Sequence, residues 1–227
     1  MTDRMKAYRA LIEQRPDWFK TGEDDGIQLI LDTEEMELAK AALAKKYPQY
    51  GADATALGMI FDSPYYVVVR DAVRQPNGNY GGYIRVFNAP DRPEGVIILP
   101  TMGEDVVLTR EFRHPVRGWR WQCPRGFGDH GETGEQAARR ELEEELGCKA
   151  STIQKLGDVE PDNGSLAARP RFYRAEIENF EAAGLGDEAI AEAKRFSPSA
   201  LKTLIAEGNL IDGPTLSALA LWWATRP

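Results

Sequence analysis

Residues 126–148 read GFGDHGETGEQAARRELEEELGC, a glycine-rich turn followed by a segment dense in carboxylates. Thr133, with Gln136 three residues on, has the pattern of a capping box, so the spacing predicts a helix from near Gly134 to a stop at Gly147. At about 100° per residue, Ala138, Leu142 and Leu146 align as an apolar stripe. Glu141, Glu144 and Glu145 form the neighbouring stripe, while Gln136, Arg139 and Glu143 take the far side. A Glu-rich helix face is by default a solvated one. Here, however, Glu141 and Glu145 border the apolar stripe, where water screens poorly, and like charges at this spacing repel by roughly a few tenths of a kcal/mol. A divalent cation relieves that conflict, since Mg²⁺ takes hard oxygen ligands from a few carboxylates, waters and substrate phosphates.

The turn adds Gly126, Gly128, Gly131 and Gly134, read as positions of positive φ that bring amides close to a bound anion, and Glu132 as a further carboxylate. The joint pattern runs Gly126, five residues, Glu132, seven residues, Arg140-Glu141-Leu142, one residue, Glu144-Glu145, one residue, Gly147. It resembles the Nudix box, the signature of the Nudix hydrolases. Cys148 stands where that family usually has an aliphatic residue, and a small buried cysteine packs like one. The resemblance implies an α+β Nudix fold, an α/β/α sandwich around a mixed β-sheet. It also implies Mg²⁺, or Mn²⁺ in its place, held by Glu141, Glu144 and Glu145. Arg140 is expected to orient those carboxylates by ion pairing, and Glu144 and Arg140 count among the candidate catalytic residues.

Upstream of the box, Arg110-Glu111-Phe112-Arg113-His114-Pro115 and Trp121-Gln122-Cys123-Pro124-Arg125-Gly126 resemble the ADP-ribose and nucleoside-diphosphate-sugar pyrophosphatase branch. By that resemblance Arg113 contacts the substrate diphosphate, for which a planar guanidinium fork is suited. Arg85 and Gly126 join it as candidate substrate-binding residues. Gln122 departs from the branch, which usually has a metal-binding glutamate there, and a neutral amide is a poorer Mg²⁺ ligand. Downstream, Leu156 to Ser165 resembles the same branch, except that Asn163 precedes Gly164 where a proline is usual. That departure leaves nucleotide sugars other than ADP-ribose open. In this branch a glutamate from a mobile loop handles the attacking water. Within the acidic, Gly- and Ala-rich stretch 181–192, Glu188 matches it best, with Asp187 and Glu192 behind.

The rest of the chain fits a soluble enzyme. Its 227 residues, 42% of them hydrophobic, suffice for one domain plus an extension. A formal net charge of −8 argues against a nucleic-acid surface. Cys123 and Cys148 give no disulfide framework, and His114 and His130 no zinc cluster, so a reducing cytoplasm is expected. No signal core or bilayer-length apolar run is read, so no membrane association is expected.

Residues 1–60 read as a helical extension, with helices Met5 to Gln14 and Thr33 to Lys46. Trp18, Phe19, Leu29, Ile30 and Leu31 lie between them as a docking segment. Residues 61–227 read as the Nudix domain. Strands Tyr65 to Arg70 and Tyr80 to Asn88 flank an Asn77-Gly78 turn, Gly95 to Pro100 and Asp105 to Arg110 form a second hairpin, and Arg171 to Glu176 is a later strand. Helices Ser199 to Glu207 and Thr215 to Ala224 close the chain, with Trp222 and Trp223 packing on the sheet.

The function expected from these readings is Mg²⁺-dependent hydrolysis of ADP-ribose or a related nucleoside diphosphate sugar to a nucleoside monophosphate and a sugar phosphate. The alternatives are a non-catalytic nucleotide sensor, or a hydrolase of another derivative such as a dinucleoside polyphosphate, a coenzyme A derivative or an oxidised nucleoside triphosphate. A homodimer is expected because the branch usually pairs through its N-terminal sheet, with Trp18 and Phe19 as exposed aromatic candidates.

Overall fold

The structure, a computed structural model, describes residues 2–20, 26–181 and 189–225. The chain divides into two units, Met1–Asp91 with Asp162–Ala167, and Arg92–Pro161 with Ala168–Pro227. In the first, helix α1 (Asp3–Gln14) is followed by strand β1 (Gln28–Ile30), helix α2 (Thr33–Lys46) and strands β2 (Gly58–Asp62), β3 (Tyr66–Arg74) and β4 (Tyr80–Asn88). Asp32 starts α2 by accepting hydrogen bonds from the N–H groups of Glu34 and Glu35. The β3–β4 hairpin turns where Gly78 takes φ +83°, as the Asn-Gly pair requires.

The N-terminal region is therefore not helical throughout. Leu29 and Ile30, expected in a docking segment, pair in β1 with Val73 and Ala72 of β3. Strands β2, β3 and β4 join β1 in one sheet, so the boundary expected near residue 60 falls inside the first unit. Phe19, expected to be exposed, is 5% accessible and packs edge-on against Tyr8, while Trp18 stacks on Phe87 at 4.3 Å. Both aromatic rings are used in this unit's own core. Arg85 lies beside them. Its guanidinium faces the rings of Phe19 and Phe87, its Nε donates to the buried Asp71 at 2.5 Å, and its Nη1 donates to the Trp18 carbonyl at 2.7 Å. Tyr8 donates to the same Asp71, so a buried carboxylate is satisfied from two sides.

In the second unit the strands are β5 (Gly95–Met102), β6 (Asp105–Arg113), β7 (Gly118–Gln122), β8 (Arg125–Phe127), β9 (Ala150–Asp158), β10 (Arg171–Ile177) and β11 (Ile190–Phe196). The helices are α3 (Gly134–Leu146), α4 (Pro198–Ala206) and α5 (Gly213–Ala224). The sheet runs β11-β6-β5-β10-β9, with β7 on β6 and β8 on β5. It is mixed, because β5 and β10 are parallel and the other pairs antiparallel. Both faces are covered, as the period of two along a strand demands of an apolar run. Val96 and Ile98 of β5 pack with Leu142 and Leu146 of α3, while Ile97 and Leu99 pack with Leu201 of α4 and Leu219 and Trp222 of α5. Burying each such leucine stabilises the fold by roughly 1.5–3 kcal/mol. The result is the expected helix–sheet–helix sandwich. Among the described residues no helix is long and apolar enough to cross a membrane.

Cys123 lies in the core under α4 and α5 and Cys148 in the core under α3. Burial pushes their thiols up to about 12 and about 11. Thiolate is the reactive form, so neither cysteine is expected to react with a disulfide reagent within minutes in the folded protein at mildly alkaline pH. Both are expected to react once guanidinium unfolds it. A fast-reacting native thiol would contradict the packing of both cores.

Candidate active site

Helix α3 begins as its spacing predicts: Thr133 accepts from the Gln136 N–H while the Gln136 side chain accepts from the Thr133 N–H, and Gly147 closes the helix at φ +57°. Pinning the apolar stripe to the sheet draws the adjacent carboxylates down with it. Glu141 is 4% and Glu145 2% accessible, while Glu144 stays exposed. Arg140 gathers the exposed edge of this ridge. Its Nη1 lies 2.9 Å from both Glu141 Oε1 and Glu144 Oε2, its Nη2 donates to the Phe127 carbonyl at 2.8 Å, and Nε and Nη2 reach the two Glu132 oxygens at 3.1 Å. Hydrogen bonding to Arg140 holds the Glu132 carboxyl below the usual carboxylate range, and the same contact raises the Arg140 guanidinium above its own. Arg140 is thus an orienting ion-pair partner for the carboxylates, and Glu132 ties the turn to the helix.

The glycines of the turn act differently from the expectation. Of Gly126, Gly128, Gly131 and Gly134, only Gly131 takes positive φ. Gly126 is required for space: a Cβ built there would fall on the Glu141 carboxylate. At Gly134 a Cβ would collide with the Tyr173 hydroxyl. Close approach, more than backbone handedness, selects glycine at both positions.

As hard-oxygen donors on one ridge, Glu141, Glu144 and Glu145 fit a hard divalent cation. Among the described residues no three carboxyl, thiol or imidazole groups converge as a ready-made ligand set, and Arg140 pairs with Glu141 and Glu144 in this arrangement. Arg140 engages Oε1 of Glu141 and Oε2 of Glu144, which leaves the second oxygen of each carboxylate outside these two contacts.

Beside Glu145 lies a second group that sequence reasoning identified only in part. The Arg125 N–H donates to Glu145 Oε1 at 3.1 Å. The β6–β7 register pairs Thr109 with Gln122, Glu111 with Arg120 and Arg113 with Gly118, which sets Glu111, Arg113 and Gln122 on one face. Gln122 is fully buried. Its Oε1 accepts from Arg113 Nε at 2.6 Å and Arg125 Nη2 at 3.0 Å, and its Nε2 donates to Glu111. Arg113 also pairs with Glu111 at 2.8 Å, and Arg125 with Asp212 at 3.1 Å. Burial, then the neighbouring Arg125, lowers the Arg113 guanidinium from its ordinary value, while Glu111, Asp212 and Glu145 pull the other way. Glu111, Arg125 and Asp212 carried no assignment in the sequence. The period-two spacing of Glu111 and Arg113 on a strand was the one available signal.

Glu188 and Asp187 lie outside the described residues. Glu192 lies on β11, opposite Arg110 of β6, and so belongs to a paired strand.

Comparison with known proteins places this arrangement. ADP-ribose pyrophosphatase of Saccharomyces cerevisiae is 31% identical over 100 residues, covering 40% of this chain and 43% of the relative. ADP-ribose pyrophosphatase of Mycobacterium tuberculosis is 30% identical over 113 residues, covering 48% and 52%. ADP-sugar pyrophosphatase of Mus musculus is 43% identical over 51 residues, covering 22% and 23%. The chain thus spans about half the length, or less, of the curated relatives it matches. A crystal structure of an ADP compounds hydrolase superposes with a TM-score of 0.63 at 22% identity, covering 74% of this chain and 90% of that one, a likeness of fold. The NUDIX domain model matches residues 91–219, opening where the second unit opens and spanning more than half of the chain. Together with a box whose carboxylates sit on the capped helix, that match shows that the chain belongs to the Nudix family.

Proposed function

We propose that this protein is a divalent-cation-dependent pyrophosphohydrolase that cleaves the diphosphate of ADP-ribose or a related nucleoside diphosphate sugar, giving a nucleoside monophosphate and a sugar phosphate. The observation that carries the reading is the pair of buried carboxylates, Glu141 and Glu145, kept on one ridge beside the half-buried arginine cluster of Arg113 and Arg125. Anions for a cation and cations for a phosphate are thereby set side by side. The names of the matched relatives support the substrate class.

Glu141, Glu144 and Glu145 would hold Mg²⁺, or Mn²⁺ in its place. The chemistry a bound cation supplies is neutralisation of the diphosphate and acidification of water. Arg113 binds a phosphate oxygen and orients the diphosphate, and Arg140 keeps the ridge carboxylates aligned until they are engaged. A carboxylate from the 181–192 stretch, Glu188 first, deprotonates or positions the attacking water. Release of a nucleoside monophosphate from ADP-ribose, GDP-mannose, UDP-sugars, NADH and dinucleoside polyphosphates, with and without Mg²⁺, tests the reading. A cation-independent or absent release across the set would refute it.

A homodimer is part of this proposal. Its support is one face of the first unit's sheet, where Phe61, Tyr66 and Ile84 are all exposed. Light scattering at micromolar concentration is expected to give twice the chain mass, and a monomeric mass would defeat the dimer.

Glu144→Gln and Glu145→Gln are each expected to lower turnover by roughly 10²-fold or more, the scale on which losing one electrostatic stabiliser acts. Circular dichroism of both variants is expected to match wild type, and turnover within a few fold of wild type would remove these residues from the site. Glu188→Gln is expected to cut kcat by about 10²- to 10⁴-fold with Mg²⁺ affinity unchanged. Comparing the Gln variants at Asp187, Glu188 and Glu192 under saturating Mg²⁺ makes the assignment, and a collapse at one of the other two would move it.

A further inference from the structure

Gln122 is the one residue of the arginine cluster that touches three charged side chains at once while carrying no charge. We infer that Gln122 is a positioning residue, whose buried amide fixes Arg113 and Arg125 together so that the Nη2 edge of Arg113 is presented to a phosphate oxygen of the substrate.

The geometry admits one orientation of the amide. With Oε1 toward the guanidinium groups and Nε2 toward Glu111, the amide oxygen meets two donors and the amide nitrogen a carboxylate. Turned over, the amide nitrogen would face two cations and the oxygen a carboxylate. Glu111 therefore orients Gln122, and Gln122 orients Arg113. Arg113 is held at two points, Nε by Gln122 and Nη1 by Glu111, and among the described residues no hydrogen bond is made by its Nη2. A guanidinium held at Nε and Nη1 with Nη2 left to donate is pre-organised for an anion, because little rotamer entropy remains to be lost on binding. Arg125 is fixed in turn by Asp212, and the N–H of the same residue holds Glu145. One buried amide thus links the phosphate-facing arginine to the residue whose backbone holds a candidate metal ligand.

Charge explains why the residue is neutral. Glu111, Asp212 and Glu145 already place three carboxylates around two arginines. A glutamate at 122 would add a fourth and set it against Glu111, so that the pair would either repel or have to take up a proton. A glutamine keeps the acceptor that the arginines need and supplies the donor that Glu111 needs.

The inference rests on the diphosphate-hydrolase reading, so its test separates the two. ADP-ribose binding is measured by calorimetry in EDTA, where no turnover is expected, and steady-state kinetics are measured with Mg²⁺. Gln122→Leu is expected to weaken ADP-ribose binding and raise KM by about tenfold, the scale of one lost hydrogen bond to a charged group, with kcat changed by less than about threefold. Gln122→Glu is expected to weaken binding at least as much, because its second oxygen repels Glu111. In an Arg113→Ala background, Gln122→Leu is expected to change the dissociation constant by less than about twofold, since the residue through which it acts is gone. Equal weakening in both backgrounds, unchanged binding in the single variants, or tighter binding with glutamate would overturn the inference. Variants at 122 that do not fold would assign Gln122 to the core and also end it. Wild-type protein that binds ADP-ribose without hydrolysing it would refute the proposed activity while leaving the positioning role measurable, and wild-type protein that does neither would refute the substrate class.

Discussion

The guanidinium of Arg140 is the interaction on which the site depends. Four carboxylates approach it: Glu132, Glu141 and Glu144 within 3.1 Å, and Asp129 at 3.6 Å. Without a central cation those anions would repel one another in a partly desolvated place, where Coulomb terms exceed their value in water several-fold. Arg140 also accepts a constraint from the Phe127 carbonyl, so one planar group sets the spacing between the turn and the helix. The tie is reversible by nature. The pair with the exposed Glu144 is the weaker side of the cluster, since an ion pair in solvent is worth little by itself, and the pair with the buried Glu141 the stronger.

Much of this was legible in residues 126–148. A capping box, a closing glycine and two stripes at helical spacing define α3, its ends and its buried face, and the structure reproduces all of them. The cysteine at 148 also behaves as the small apolar residue that its place in the pattern requires. Local signals of this kind survive because helix caps and periodicity act within a few residues of one another. The N-terminal aromatics were misread because an apolar cluster between two helices looks the same in sequence whether it packs outward or inward. The choice was made by Phe87 and Asp71, each more than fifty residues downstream of Trp18 and Phe19.

The arginine cluster shows the limit of linear reading. Glu111, Gln122, Arg125 and Asp212 meet through a hairpin register and a helix cap, and no spacing rule joins residue 212 to residue 125. In the structure Asp212 caps α5, accepting from the Thr215 N–H while it also accepts from Arg125. One carboxylate thus ends a loop, starts a helix and anchors a guanidinium. Gln122 stood out only as a departure from a resembled pattern. Its partners turn the departure into a reason.

The parallel pairing of β5 with β10 sets an order on how the site can be assembled. Val96 pairs with Arg171, and α3 lies between them in the chain. During synthesis the carboxylate helix therefore emerges before the strand that supplies Tyr173, Ala175 and Ile177 to the core beneath it. Until that strand docks, Leu142 and Leu146 have only part of their platform. Long-range parallel pairing is among the slower steps available to a chain. The buried face of α3 is thus completed only by a strand that follows it in the chain.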